Sequence, residues 1–183
     1  MISKIYRQRV ASKWEIIEKE TVDEIIFRTT KTRNRLMLEL MARGGMRIGE
    51  VLKLRLRDLQ DRKLILEEPK SGREHEIVSI PQKVADRLRE YALEVCESPD
   101  DRFFPISYEG ARVIVAKAGK LVGIKLRPHD LRRHSATYAS RSGVPIEIVS
   151  KVILRHANLS TTQRYLGTIS DVEAIRWIEN IYC

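Results

Sequence analysis

In Gly45-Met-Arg47-Ile-Gly-Glu50 a glycine-rich turn runs straight into a helix, which sets Arg47 beside a helix N-terminus. Free backbone N–H groups and a planar guanidinium at such a place suit a phosphate. Glu50, one turn on, can hold Arg47 or another cation in position. The plainer reading is a surface arginine with an acid that stabilises the first turn. Lys70 falls in Pro69-Lys-Ser-Gly72, a tight turn. Lysine there often serves solubility, but its amine can also reach into a groove and donate a proton. Arg127-Pro-His-Asp-Leu-Arg-Arg-His134 is the densest cluster. His129 and Arg132, three apart, share a helical face, as a solvated basic surface or as a phosphate-binding pair at a helix start. Leu154-Arg-His-Ala-Asn-Leu-Ser-Thr-Thr-Gln-Arg-Tyr165 follows an apolar helix. Taken alone, His156 reads as a favourable charge at a helix C-terminus and Tyr165 as a packing tyrosine.

The elements that must position these residues are mostly helical. Thr21-Val-Asp-Glu24 has the form of a capping box, with Val22, Ile25 and Ile26 on one face of the helix it opens. A second helix is predicted from about Arg33 to Met41, and Ile48, Val51 and Leu52 mark the apolar side of a third. The period then changes. Lys63–Glu67 and Glu74–Ile80 read as two strands joined by the turn that carries Lys70. Pro81 suits the first position of a helix whose apolar side is Val84, Leu88, Tyr91, Ala92 and Val95. Ile114, Ala118, Leu121 and Val122 fit another. Pro128 opens a helix that Gly143 ends, and Pro145 opens one running to Leu154. Short helices near Ser160–Leu166 and Asp171–Asn180 complete a mainly α fold with a small antiparallel β-sheet, an α+β arrangement.

The formal charge is +9, and it is unevenly placed. Arg28 to Asp58 holds nine basic and three acidic residues, and Ala111 to Arg155 ten basic and two acidic. The stretch between, Asp61 to Arg102, has eight basic against eleven acidic. Two basic blocks separated in sequence suggest one anion-binding face assembled by folding, with nucleic acid the first partner to consider. No long apolar run, signal peptide or basic amphipathic helix with an aromatic face supports a membrane partner. Cys96 and Cys183 make no disulfide framework, and His75, His129, His134 and His156 show no metal-ligand spacing with them. A reducing cytoplasm is the expected compartment.

In combination and in this order, the clusters resemble the catalytic signature of the tyrosine recombinase (phage integrase) family. The first block matches Gly45–Glu50 followed by Val51-Leu-Lys-Leu54; the hairpin lysine falls on Lys70, with Ile77–Pro81 after it. The His-x-x-Arg block falls on His129 and Arg132, and the last on His156 with Tyr165 nine residues later. The resemblance runs from about Thr21 to Gly167. It implies the catalytic core of DNA breaking–rejoining enzymes, with double-stranded DNA as partner and no metal or cofactor. It implies Tyr165 as nucleophile and Arg47 and Arg132 as a clamp on the phosphate. His156 would be a further hydrogen-bond donor, Lys70 the acid for the leaving oxygen, His129 a proton acceptor or relay, and Glu50 the support for Arg47 and His129. A tetramer on DNA is implied as well, with a monomer or dimer in its absence, and residues 171–183 are a candidate segment for packing on a neighbour.

Two departures from the family pattern stand out. The residue before the last histidine is normally glycine, and here it is Arg155, which is expected either to crowd the site or to add a phosphate contact. Residues 1–20 read as a basic arm or linker remnant rather than the family's separate DNA-clamping domain. Residues 21–183 then form the catalytic domain, as a fragment or a stand-alone form. Two alternatives share these features: a type IB topoisomerase-like relaxing enzyme, and a non-catalytic DNA-binding accessory protein.

Overall fold

The computed structural model describes residues 16–67, 75–156 and 158–166, with Ile175, Ile178 and Glu179 beyond them; the side chains of Arg164 and Tyr165 are excepted. Ile16–Leu166 forms one compact unit. Its centre is helix α2 (Thr32–Arg43), in which every residue from Leu36 to Ala42 is buried. A helix apolar on most of its circumference needs neighbours on several sides. It has them in α1 (Lys19–Arg28), α3 (Ile48–Lys53), α4 (Gln82–Val95) and α6 (Pro128–Arg141). Glu39 is the one carboxylate in that buried run, and Arg87 of α4 at 2.5 Å and Arg43 at 3.2 Å answer its charge. Tyr91 stacks on Phe104, which abuts Phe103, and these rings close the core beneath α4.

A three-stranded antiparallel sheet in the order β1 (Leu59–Gln60), β2 (Lys63–Glu67), β3 (His75–Ser79) flanks the helices. Leu64 pairs with Val78 and Leu66 with Glu76, and these four side chains face inward. Strand alternation thus buries Glu76 and leaves Ile77 exposed. Helix α5 (Tyr108–Lys120) is started by the Ser107 hydroxyl, which accepts from the Gly110 N–H. A second, smaller cluster of Ala136, Val149 and Leu154, with Ile153 and Leu166 against it, joins α6 to the C-terminal elements. Those are the short α7 (Ile146–Ile148), a π-helical segment (Val149–Ile153) and α8 (Leu159–Leu166).

The expected mainly helical fold with a small antiparallel sheet is the one observed, with four local corrections. Helix α1 begins two residues before Thr21, at Lys19, which is paired with Asp23 at 2.5 Å, so Thr21–Glu24 lies inside the helix and caps nothing. β1 adds a third strand too short to show a period. Pro81 is the residue before α4 rather than its first. The helix opened by Pro145 loses its α register after Ile148, where the Leu154 N–H reaches back five residues to the Val149 carbonyl. The helix expected over Asp171–Asn180 lies outside the described residues, apart from Ile175, Ile178 and Glu179; both isoleucines are exposed.

Candidate active site

Arg47 is the residue from which α3 starts, and its extended backbone aims its own N–H at Glu50 Oε2, 2.8 Å away. Its Nη1 donates to Glu50 Oε1 at 2.5 Å. The acid three residues into the helix therefore holds both the backbone and the head group of Arg47, whose side chain stays 30% exposed. Before it, Gly45 adopts φ +60°. A Cβ there would lie 2.9 Å from the Ile153 carbonyl oxygen, so the turn needs glycine for conformation and for close approach.

Arg132, on α6, is 1% exposed. A buried guanidinium must find acceptors for its donors. Nη1 donates to the Gly45 carbonyl and Nη2 to the Leu154 carbonyl. One side chain thus ties the turn before Arg47 to the turn before His156, two segments more than a hundred residues apart in sequence.

His129, in the first turn of α6, is exposed and lines the same cleft as Arg47, Glu50 and Arg132. That cleft has a volume of about 600 Å³ and runs on past Lys53, Arg55, Arg57 and Arg102. The cleft walls shield part of the ring from water. This partial desolvation, then the Arg132 and Arg133 guanidiniums, lower its pKa, against the opposing pull of Asp130. His156 is 8% exposed. Its Nδ1 lies 2.9 Å from Thr162 Oγ1, and that fully buried hydroxyl donates to Ser150 Oγ at 2.8 Å. The His156 N–H donates to the Ser150 carbonyl at 2.9 Å. Burial first, then Arg132, Arg47 and Arg155, push the His156 pKa down to about 4. Both imidazoles feel the same two guanidiniums, those of Arg47 and Arg132.

Arg155 corrects the expectation drawn from it. Its side chain neither crowds the cleft nor is held out as a further phosphate contact. It is buried, donating from Nη2 to Glu50 Oε2 at 2.6 Å, from Nε to Glu76 Oε2 at 3.2 Å and from Nη1 to the Ile153 carbonyl at 2.9 Å. The backbone pays for this with φ +51°, a conformation that costs a non-glycine residue about 1 kcal/mol.

The structure therefore brings Arg47, Glu50, His129, Arg132 and His156 into one neighbourhood. Lys70 lies outside the described residues, as does the side chain of Tyr165, whose backbone belongs to α8. Sequence reasoning missed Ser150 and Thr162, which hold His156, and Glu76, which strand alternation alone would have turned inward. Two guanidiniums and two imidazoles around a basic cleft can bind an anion and stabilise charge developing on it. Among the described residues no three His, Cys, Asp or Glu side chains group as a metal site. No helix among them is long and apolar enough to cross a membrane.

Comparison with known proteins gives one pattern. The model of the phage integrase family matches residues 15–169. A tyrosine recombinase of Pseudothermotoga lettingae is 35% identical over 150 residues, which is 78% of this chain and 52% of that protein. Tyrosine recombinase XerA of Thermococcus kodakarensis is 31% identical over 145 residues, 74% of this chain and 51% of that protein. Among solved structures, XerA recombinase superposes with a TM-score of 0.77 at 24% identity, over 91% of this chain and 65% of that one. The catalytic domain of bacteriophage HP1 integrase does so at 0.65 and 20% identity, over 90% of this chain and 94% of that one. The chain spans about half the length of the full-length relatives it matches.

Proposed function

The chain belongs to the phage integrase family, and from that premise we propose that it is the catalytic domain of a site-specific tyrosine recombinase. It cleaves and rejoins double-stranded DNA through a 3′-phosphotyrosyl intermediate, without a metal or cofactor. The observation that carries this reading is the Arg132 guanidinium bonded to the Gly45 and Leu154 carbonyls. It holds the Arg47 and His156 segments together at one basic site.

In this reading the Tyr165 hydroxyl attacks a backbone phosphorus, and the 5′-oxygen of the next nucleotide leaves. The bond energy is kept in the phosphotyrosine, so rejoining needs no ATP. Arg47 and Arg132 face the non-bridging oxygens as negative charge grows on them; losing one such donor costs about 10²–10³ in rate. They supply the charge that a metal ion supplies in many nucleases. Lys70 protonates the leaving oxygen, a contribution of about 10²–10⁴. His129, kept neutral by its surroundings, accepts or relays the tyrosine proton. His156 hydrogen-bonds to the same oxygens as the arginines. Glu50 orients Arg47.

Residues 21–183 form the catalytic domain, residues 1–20 a basic arm or linker remnant, and 171–183 a segment that packs on a neighbour when four copies assemble on DNA. The protein acts in the cytoplasm, on DNA. Incubation with a nicked DNA duplex in EDTA tests the chemistry. The native chain is expected to form a covalent protein–DNA adduct, and Tyr165→Phe none. An adduct that survives Tyr165→Phe assigns the wrong nucleophile. Binding with no adduct under any condition favours the accessory-protein reading, and topoisomers produced from single molecules favour a relaxing enzyme.

A further inference from the structure

Arg155 stands where the family pattern has glycine, in a left-handed conformation, with its charge buried. Both the strain and the desolvation weigh against an arginine unless the side chain has a task. Its contacts define one. We propose that Arg155 is a positioning residue that clamps Glu50 from behind, and through Glu50 fixes the Arg47 guanidinium while tying both to strand β3.

Among the described residues Glu50 Oε1 accepts from Arg47 Nη1, whereas Oε2 is shared between the Arg47 N–H and Arg155 Nη2. An isolated Arg47–Glu50 pair, three residues apart across the start of a six-residue helix and part exposed, would hold its geometry weakly. With the second guanidinium beneath it, the carboxylate cannot follow Arg47 outward. The charges also matter. A single carboxylate paired only with Arg47 would neutralise the cation intended for phosphate, whereas Arg155 draws on the same carboxylate and leaves Arg47 with charge to offer. Glu76 holds Arg155 from the strand side, accepting from its Nε at 3.2 Å.

The groups facing Glu50 are Arg47 from its own helix and Arg155 from the turn before α8, with Glu76 of β3 behind Arg155. Their attraction outweighs burial and keeps the Glu50 carboxyl below its ordinary range. The assignment rests on the catalytic reading above, so its test has one readout that needs no DNA. Carbon-13 titration of the Glu50 carboxyl is compared in the native chain, Arg155→Gly, Glu76→Gln and the double variant, beside adduct formation on nicked DNA. Glycine suits the left-handed backbone, so Arg155→Gly removes the side chain without adding strain. The expected result is an upward shift of the Glu50 titration and a loss of roughly ten- to a hundredfold in cleavage, the size expected of a misplaced reacting group. Arg155→Gly strands Glu76 without a partner and lowers the melting temperature. Adding Glu76→Gln is expected to recover stability and leave cleavage low. Native-rate cleavage by the double variant would reduce Arg155 to a counter-ion for Glu76. An unmoved Glu50 titration in Arg155→Gly would overturn the clamp outright. If the native chain forms no adduct, the catalytic reading fails while the Glu50 titration still decides the clamp.

Discussion

His156 is held neutral by its setting, and that has a measurable consequence. Its folded pKa is about 4, pushed down by burial and three guanidiniums, against about 6.5 for an unperturbed histidine. Between those two values the unfolded chain binds a proton that the folded chain refuses, so stability falls as pH drops through the window and levels off below it. The full shift corresponds to about 3 kcal/mol. His129 and His134 are lowered as well and add to the same slope. Urea unfolding at pH 7 and pH 4.5 should show the native chain much weaker at the lower pH, and His156→Gln should lose the larger part of that difference. An equal difference in both proteins would mean that other groups carry it. The histidine was legible in the sequence as a candidate through the resemblance of the ordered set of motifs to the family; its environment was not. Nothing in the residues around it indicates that Thr162, six positions later, would meet its Nδ1 at 2.9 Å with Ser150 behind.

At the scale of elements, the two arginines of the cleft differ in what they support. Arg132 joins α6 to the turn before α3 and to the end of the π-helical segment through two carbonyls. Replacing it with methionine leaves both carbonyls buried without their donor, at about 1–3 kcal/mol each. Denaturant unfolding of Arg132→Met is thus expected to show a loss of roughly 2–6 kcal/mol. Arg47 is part exposed, and without its side chain Glu50 keeps Arg155 and the Arg47 N–H. Arg47→Ala should therefore stay within about 1 kcal/mol of native while cleavage drops about 10²–10³-fold. Equal stability losses would refute the division. The sequence revealed these elements where apolar spacing is long and regular, as in α4, or where proline and glycine mark the ends, as in α6, and the β2 strand at its observed bounds. It hid what depends on tertiary partners. β1 exists because Leu59 and Gln60 pair with β2. The break after Ile148 lies in a stretch whose apolar residues fit an unbroken helix just as well. Arg155 was visible as a departure, but its inward turn depends on Glu76, a strand residue buried opposite Leu66.

Across the whole molecule, the charge asymmetry seen in the sequence acquires a location. The cleft that holds Arg47, His129 and Arg132 continues past Lys53, Arg55, Arg57 and Arg102, which come from the first basic block and from the end of the acidic stretch. Arg57 is engaged by Glu67 and Asp100, and Arg55 by the Asp100 carbonyl, so those two serve partly to build the wall. Lys53 and Arg102 are exposed at the cleft, each on firm backbone: Lys53 ends α3, and Arg102 pairs with Arg55 in an isolated bridge. If DNA lies along this track, each cation that meets a phosphate releases condensed counterions, and the logarithm of affinity falls with the logarithm of salt by about 0.9 per contact. Binding of a duplex to Lys53→Ala, measured across a range of salt concentrations, should weaken at low salt and show a slope shallower by about that amount. Arg102→Ala should behave alike, and the two losses should add if each cation meets its own phosphate. Arg141, on the opposite end of α6 and bonded to Glu18 at 3.1 Å, is the control: its removal should leave the slope unchanged. A slope unaltered by Lys53→Ala and Arg102→Ala but reduced by Arg141→Ala would move the DNA path off the cleft and onto another face.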